Sequence, residues 1–565
     1  MIILPRRSGG LLLLLAACGL LSILADAFAA PPTQSRLFPA GGQRGTKVVT
    51  SSTGEFDWPV KIWAPGVEVV AGSEKGKLEV SIPADLAADR VWIRLYNEEG
   101  ISAALPFLIG NLTEVIEQEP NNSPSDAQAL SESATTLNGV LSGSGDVDAF
   151  AVSLRAGQTL VAAVDAHVRL GSPIDAILQV ASADGIVLAE NHDDVGLDPR
   201  LALTVTTSGI HIVRLFAFPS TPNRAIGFYG GADCVYRLRL TTGPFITHAV
   251  PLSVPREDPG AVDVRGWNIP PNTQVEVVSF GGASLADHPE FEVVSAQRNS
   301  PDARLGFVFA PHLGGAARVR LAPHAAVSSL TDTDADHPMR LAPPTAVTGQ
   351  LRSPGAADRF QLPLQKDQRV IISVESHSLD LPVVPVVRLL DPAGTVLADA
   401  PGPGNTVEAV VVHTATQDGD YRLVVRDRYG HGGDRYVYRL TVRLQEPDFE
   451  LSASADAIVV AADKPTEFEV SVTRRAAPGG SVGPITIEAT DLPPGVTAAP
   501  VVSEPTGDTA AKVNLTFSTT GPAFSGPIRI LGAASEPREI RRFARTPPRF
   551  ASSLETIWLT AVAKP

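Results

Sequence analysis

Glu117, Glu119, Asn121 and Asn122 place four oxygen-bearing side chains within six positions, and Pro120 among them holds the backbone extended. Such a run cannot form the core of a strand. Further on, past a turn expected at Gly139, Asp146 and Asp148 precede Phe150, Val152 and Leu154, whose alternation predicts a half-buried β-strand with carboxylates at its mouth. Hard oxygen ligands gathered from two loops suit Ca²⁺, which accepts about 6 to 8 oxygens in a tolerant geometry. The same residues also read as a solvated linker followed by an acidic turn, and spacing alone leaves both chemistries open.

Other chemistries find less support. Zinc hydrolases need close His/Glu ligands such as H-E-x-x-H, and the 11 histidines are scattered singly. No G-x-S-x-G elbow marks a strand-to-helix turn for a serine nucleophile. Cys234 lies in a strand leading to YRLRL with no activating motif beside it, and reads as core packing. His192, between Asn191 and Asp193-Asp194, is the one histidine in a polar constellation; it reads as a carboxylate-oriented base or as part of a solvated or calcium-adjacent loop. Paired carboxylates of the glycosidase kind remain open, since their separation is not readable from sequence.

The elements that must position these residues are strands. The 565 residues include 48 Gly, 48 Pro and 2 Met, and convincing helical periods are few. One core rarely grows that large, so about five small all-β domains are expected. Residues 1–30 carry Arg6 and Arg7, an apolar run from Leu11 and Ala27-Phe28-Ala29, the pattern of a secretory signal peptide. Leu15-Ala16-Ala17-Cys18 resembles a lipoprotein box, which makes anchoring at Cys18 the alternative to soluble export. No later stretch approaches the ~20 apolar residues of a spanning helix. With 61 acidic against 46 basic residues, the net charge of -15 opposes nucleic acid and anionic lipid and favours protein, polysaccharide or a cation as partner.

The segments EPNN, GDVDAF, AGQTL (Ala156 to Leu160), NHDD (Asn191 to Asp194), Gly209 and YRLRL (Tyr236 to Leu240) together resemble the bacterial pre-peptidase C-terminal domain, a secreted β-sandwich module. That family includes the collagen-binding modules of collagenases, where calcium is held by a Glu-x-Glu-x-Asn-Asp/Asn segment and downstream aspartates. The resemblance implies Glu117, Glu119, Asn121, Asn122, Asp146 and Asp148 as calcium ligands here. The ends of residues 31–112, RLFPAGGQRG and GISAALPFLIG, resemble an immunoglobulin-like, TIG-type domain. Trp58, Trp63 and Trp92 within it read as packing residues or as a sugar-stacking face.

An internal repeat extends this organisation. Gly139, Phe150 and Gly209 have counterparts 210 positions on in Gly349, Phe360 and Gly419, and Tyr236 matches Tyr438 at a slightly smaller offset. Expected limits are 113–242 for the first pre-peptidase-like domain, 243–332 for a second TIG-like domain, 333–445 for a degenerate second copy, and 446–565 for a terminal immunoglobulin-like domain. In the second copy Asp146 becomes Ala356, Asp148 keeps Asp358, and Asp193-Asp194 falls opposite Pro401 to Gly404. Only Asp332, Asp334 and Asp336 precede it, and Arg538, Arg541, Arg542 and Arg545 form a basic cluster late in the chain. Two functions follow: a secreted, non-catalytic binding or adhesion protein arranged as an extended string of sandwiches, or a peptidase-associated hydrolytic protein of the same modular class.

Overall fold

Alternating residues in the expected stretches do form strands. Lys512–Thr519, KVNLTFST, buries every second side chain, and Lys77–Ser81 does the same. The computed structural model describes residues 30–563 apart from 87, 132–133, 222–226, 279–292, 295–303, 323–325, 329–337, 402–407, 463, 479 and 549–551. The leader with Cys18, the Asp332, Asp334 and Asp336 run, and residues 402–404 of the Pro/Gly run lie outside these. Among the described residues helix is limited to one turn at His167–Leu170 and a 3₁₀ turn at His377–Leu379, and no helix is long and apolar enough to cross a membrane. The fold is all-β, built of β-sandwich units.

Buried apolar side chains gather into five larger cores, centred on Phe107, Phe150, Val264, Phe360 and Phe517. The second and fourth share one topology. In the second unit Thr113–Ile116, Ala134–Val140, Val235–Thr241, Thr159–Asp165 and Arg200–Thr204 lie side by side in that order. Facing them run Gln128–Ala129, Asp148–Leu154, Gly209–Pro219, Ile174–Ser182 and Val187–Asn191. The fourth unit repeats both orders, with Ala326–Ser328, Thr345–Gln350, Val437–Leu444, Arg369–Glu375 and Ala409–Thr414 in one sheet. Its other sheet holds Met339–Arg340, Ala357–Leu364, Gly419–Asp427, Pro385–Leu390 and Val396–Pro401.

One sequence reading needs correcting at Gly139. It is not a turn residue but lies inside Ala134–Val140, directly across from Tyr236. A Cβ at this position would stand 2.2 Å from the tyrosine ring, so the glycine is there to let that ring cross the strand. Gly349 faces Tyr438 with the same 2.2 Å approach.

The units are not an extended string. Small apolar clusters join them: Ala40 and Leu108 of the first unit with Leu170 and Val235 of the second, Val161 and Ala163 of the second with Phe245 of the third, and Leu252 of the third with Leu379, Leu381 and Val437 of the fourth. The first unit also meets the last, through Trp92 and Ala104 with Leu554 and through Arg94 with Asp456 at 3.0 Å. At the centre, one buried ion cluster draws on four units: Asp89 receives Arg169 at 2.5 Å and Arg318 at 3.0 Å, and Arg318 faces Asp380 at 3.5 Å. Burial alone would raise the Asp89 carboxyl, but the Arg169 and Arg318 guanidiniums hold it well below the usual carboxylate range. Buried charges demand partners, and here the partners belong to other units, so the chain folds back on itself.

Candidate metal centre

The Glu117–Asn122 segment leaves the edge strand Thr113–Ile116 and is clamped across the start of Asp148–Leu154. Ala149 N donates to Asn121 O at 2.9 Å, and Val147 N donates to Asn122 Oδ1 at 3.3 Å. Asn121 N in turn donates to Glu119 Oε2 at 2.9 Å. The Glu119-Pro120 peptide within the segment is cis. Asn121 is wholly buried, which an ordinary solvated linker would not provide.

Within this clamp the ligand oxygens of Glu119, Asp146 and Asp148 lie within 4.8 Å of one another. Two oxygens bound to a single Ca²⁺ can be at most about 5 Å apart, so the three fit one coordination sphere. Asp146 is oriented by Ser142, whose Oγ donates to Oδ2 at 2.9 Å. Asp148 is buried and Glu119 exposed, so the cluster opens to solvent on the Glu119 side.

Glu117 is placed behind this triad. Its Oε1 accepts from Val140 N at 2.6 Å and its Oε2 from the Tyr236 hydroxyl at 2.8 Å. The same hydroxyl lies 2.5 Å from Asp148 Oδ2. One phenolic hydrogen thus faces two carboxylates. Burial, then the negative charge of Glu117, pushes the Asp148 carboxyl up to about 10, and burial also raises Glu117. Several carboxylates this close cannot all ionise without a compensating positive charge.

Two further observations bear on a cation. Asp148 Oδ1 and both polar side-chain atoms of Asn121 are buried without a hydrogen-bond partner. Buried polar atoms are nearly always satisfied, and the two oxygens among them, Asp148 Oδ1 and Asn121 Oδ1, are groups that an oxygen-seeking ion would engage. The donor set is all oxygen, which suits Ca²⁺ and offers none of the nitrogen or sulfur that zinc prefers.

Tyr236 and Ser142 were not evident from sequence as parts of this corner. The readable signal for Tyr236 was its pairing with Gly139, repeated as Tyr438 with Gly349. The NHDD loop lies elsewhere in role: Asp194 is buried against Arg435 of the fourth unit and, at 4.0 Å, Arg200, so it closes a joint between the two related units. His192 and Asp193 form an exposed pair at 3.0 Å, with 61% and 52% of their side chains accessible. Burial and Asp233 push the Cys234 thiol up to about 11, which keeps it unreactive at neutral pH.

The tryptophans of the first unit pack. Trp92 is buried, Trp63 meets Trp558 edge-on at 5.7 Å, and Trp58 Nε1 donates to Gly72 O at 3.2 Å. In the late basic cluster, Arg538 pairs with Glu446 at 2.7 Å, Arg542 with Asp448 at 3.2 Å and Arg545 with Glu555 at 4.0 Å.

No family model and no curated protein matches the chain. Among solved structures it is similar to the pre-peptidase C-terminal domain of a collagenase from Bacillus anthracis, at 19% identity over 19% of this chain and 93% of that one, with a TM-score of 0.16. It is also similar to the N-terminal four Ig domains of Dscam1 isoform 4.4, at 11% identity over 92% of this chain and 98% of that one, TM-score 0.17. A third similarity is to the M60 catalytic domain with its CBM51 domains from Clostridium perfringens ZmpB, at 11% identity over 74% of this chain and 46% of that one, TM-score 0.14. At such identities the likenesses concern fold alone.

Proposed function

We propose that the chain is a secreted, non-catalytic binding protein whose first pre-peptidase-like unit is stabilised by Ca²⁺, and that it engages protein or polysaccharide at the cell surface or in the periplasm. The observation that carries the metal reading is Asn121, wholly buried with its amide unpartnered beside the Glu119, Asp146 and Asp148 oxygens. Glu119, Asp146, Asp148 and Asn121 Oδ1 are the direct ligands in this reading, with Asn122 and Glu117 fixing the segment behind them. The ion neutralises the cluster and locks the segment onto the strand mouth, stiffening the passage from the first sandwich into the second unit. The fourth unit lacks the means: Ala356 replaces Asp146, and no counterpart of the Glu117–Asn122 segment precedes Asp358 in the sequence.

The test is calorimetric titration and thermal melting of the full chain with calcium and with EDTA. Calcium binds with a dissociation constant on the order of 10⁻⁴ M or tighter. At a concentration about 100-fold above that constant it adds about 2.7 kcal/mol of stability. Glu119→Ala and Asp146→Ala abolish the response, and Asp358→Ala leaves it intact. A response unchanged by the first two substitutions, or none in the native chain, refutes the site.

A further inference from the structure

The fourth unit lacks the acidic corner but carries a different feature, on the loop that follows Gly419–Asp427. Tyr429 is 67% exposed, the most exposed of the large apolar side chains described. Its ring stands 6.0 Å from that of His431, tilted by 38°, and His431 stands 5.8 Å from Tyr436, tilted by 53°. Arg428 extends its guanidinium over Tyr429 at 5.9 Å. Three rings therefore form a stepped platform with a cation at one end.

The loop is held rigidly. The buried Asp427 carboxylate accepts from Tyr429 N and His431 N, both at 2.9 Å, and from Val384 N at 3.0 Å. Gly355 N donates to Gly430 O at 2.9 Å, and Gly433 N to Leu351 O at 2.7 Å. Gly432 lies so close to Ser353 that a Cβ would stand 2.1 Å from its carbonyl oxygen. At the far end Arg435 ties the loop to Asp194 of the second unit and lies over Trp267 of the third at 4.5 Å. The ladder is exposed at Tyr429 and His431 and anchored at Tyr436, which is half-buried against the fourth unit's core, and on a loop with this many ties it is already ordered before any ligand arrives, so little entropy is lost on binding.

We propose that Tyr429, His431 and Tyr436 form a binding platform for a neutral polysaccharide. Pyranose rings present apolar C–H faces that stack on aromatic rings, while their hydroxyls take up flanking polar groups such as Arg428 and the tyrosine hydroxyls. The tilt between successive rings suits a chain whose sugar units turn relative to one another. The net charge of -15 disfavours polyanions. The inference rests on the binding-protein reading above and is independent of the calcium corner, because no member of the platform belongs to it. Among the described residues of copy one, Ala217 stands where Asp427 does, and Phe228 packs on Phe216 and Phe218 instead.

The experiment is affinity electrophoresis of the full chain in gels containing β-glucan, galactomannan or dextran, with alginate and collagen as separate arms. At least one neutral polymer retards the native chain and alginate does not. Tyr429→Ala and His431→Ala each weaken retardation at least about tenfold, as expected for aromatic anchors at a binding surface. Tyr429→Phe retains most of it, and Ile186→Ala, at an exposed apolar side chain of the second unit, is without effect. All four substitutions lie at surface positions, and melting curves verify their folding. Retardation that survives Tyr429→Ala, or no retardation by any neutral polymer, overturns the platform. Collagen binding without polysaccharide binding would do so while leaving the binding-protein reading standing; loss of both arms removes both.

Discussion

The second and fourth units are two versions of one scaffold, and they diverge at the ends rather than in the frame. Both place a glycine across from a tyrosine whose hydroxyl reaches an aspartate at 2.5 Å, Tyr236 to Asp148 and Tyr438 to Asp358. Both hold the one-turn helix with a buried acid just ahead of a later edge strand, Arg200–Thr204 or Ala409–Thr414. Asp198 accepts from Ala166 N, His167 N and Val168 N, and Glu408 from Ser376 N and Ser378 N. What differs is loop chemistry: acids and amides at the first unit's strand mouth, aromatic rings beyond the second version's Asp427. The tyrosine–aspartate link therefore belongs to the frame, and only the residues around it make a metal site.

Breaking the frame in both copies is the strongest test of that separation. Asp165 is buried with Arg239 at 3.0 Å and Arg169 at 3.6 Å, and its counterpart Glu375 with Arg439 at 2.6 Å and Arg320 at 2.9 Å. Asp165→Ala takes the carboxylate from buried Arg239, and Glu375→Ala takes it from buried Arg439 and Arg320, each a loss of about 3–5 kcal/mol read by thermal melting. Arg320 belongs to the third unit, so Glu375→Ala also loosens a joint. Solution scattering of the native chain gives a radius of gyration near the compact value of about 24 Å, and that variant expands measurably. A native chain much larger than this returns the extended string.

Next in size are Gly139→Ala and Gly349→Ala. Each drives a methyl group into a tyrosine ring and destabilises by about 1–3 kcal/mol. Stability falls alike in both, but only Gly139→Ala also weakens the calcium response, because its Cβ would stand 2.3 Å from Glu117 Oε2 as well. Equal calcium responses from the two variants would erase the functional distinction between copies.

The smallest effect is on pH dependence. Burial raises Asp198 from an ordinary 3.8 to about 7, and burial with the charge of Glu375 raises Glu408 from 4.5 to about 8. A raised acid binds its proton more tightly when folded. Its contribution is complete below the unfolded value and is lost as pH climbs through the folded one. The stability these two carboxyls contribute therefore declines from about pH 4 toward pH 8, and in the last step, between about 7 and 8, Glu408 still titrates after Asp198 has finished. Glu408→Gln flattens that last step in melting temperature, and Asp198→Asn flattens the part below pH 7. No change of slope in either variant would mean that these carboxyls are ionised throughout.

Much of this was legible beforehand because strands advertise themselves. Alternation in DAFAVSL or KVNLTFST needs only the two-residue period of a half-buried sheet, and the 210-residue repeat needs only comparison of the chain with itself. The crowding of Glu117, Glu119, Asn121 and Asn122 likewise shows in the order of residues. The tertiary structure decided which of them converge: Glu119 with Asp146 and Asp148, while Glu117 turned to Tyr236 and Val140. It decided that Asp194, in a loop that reads as metal-adjacent, pairs with Arg435 of another unit, and that Asp89 finds Arg318. It also gave Gly139 its reason, a ring lying across the strand rather than a turn. Periodicity and composition are properties of neighbours along the chain, whereas charge pairing and close approach depend on residues hundreds of positions apart, and only the folded chain brings those together.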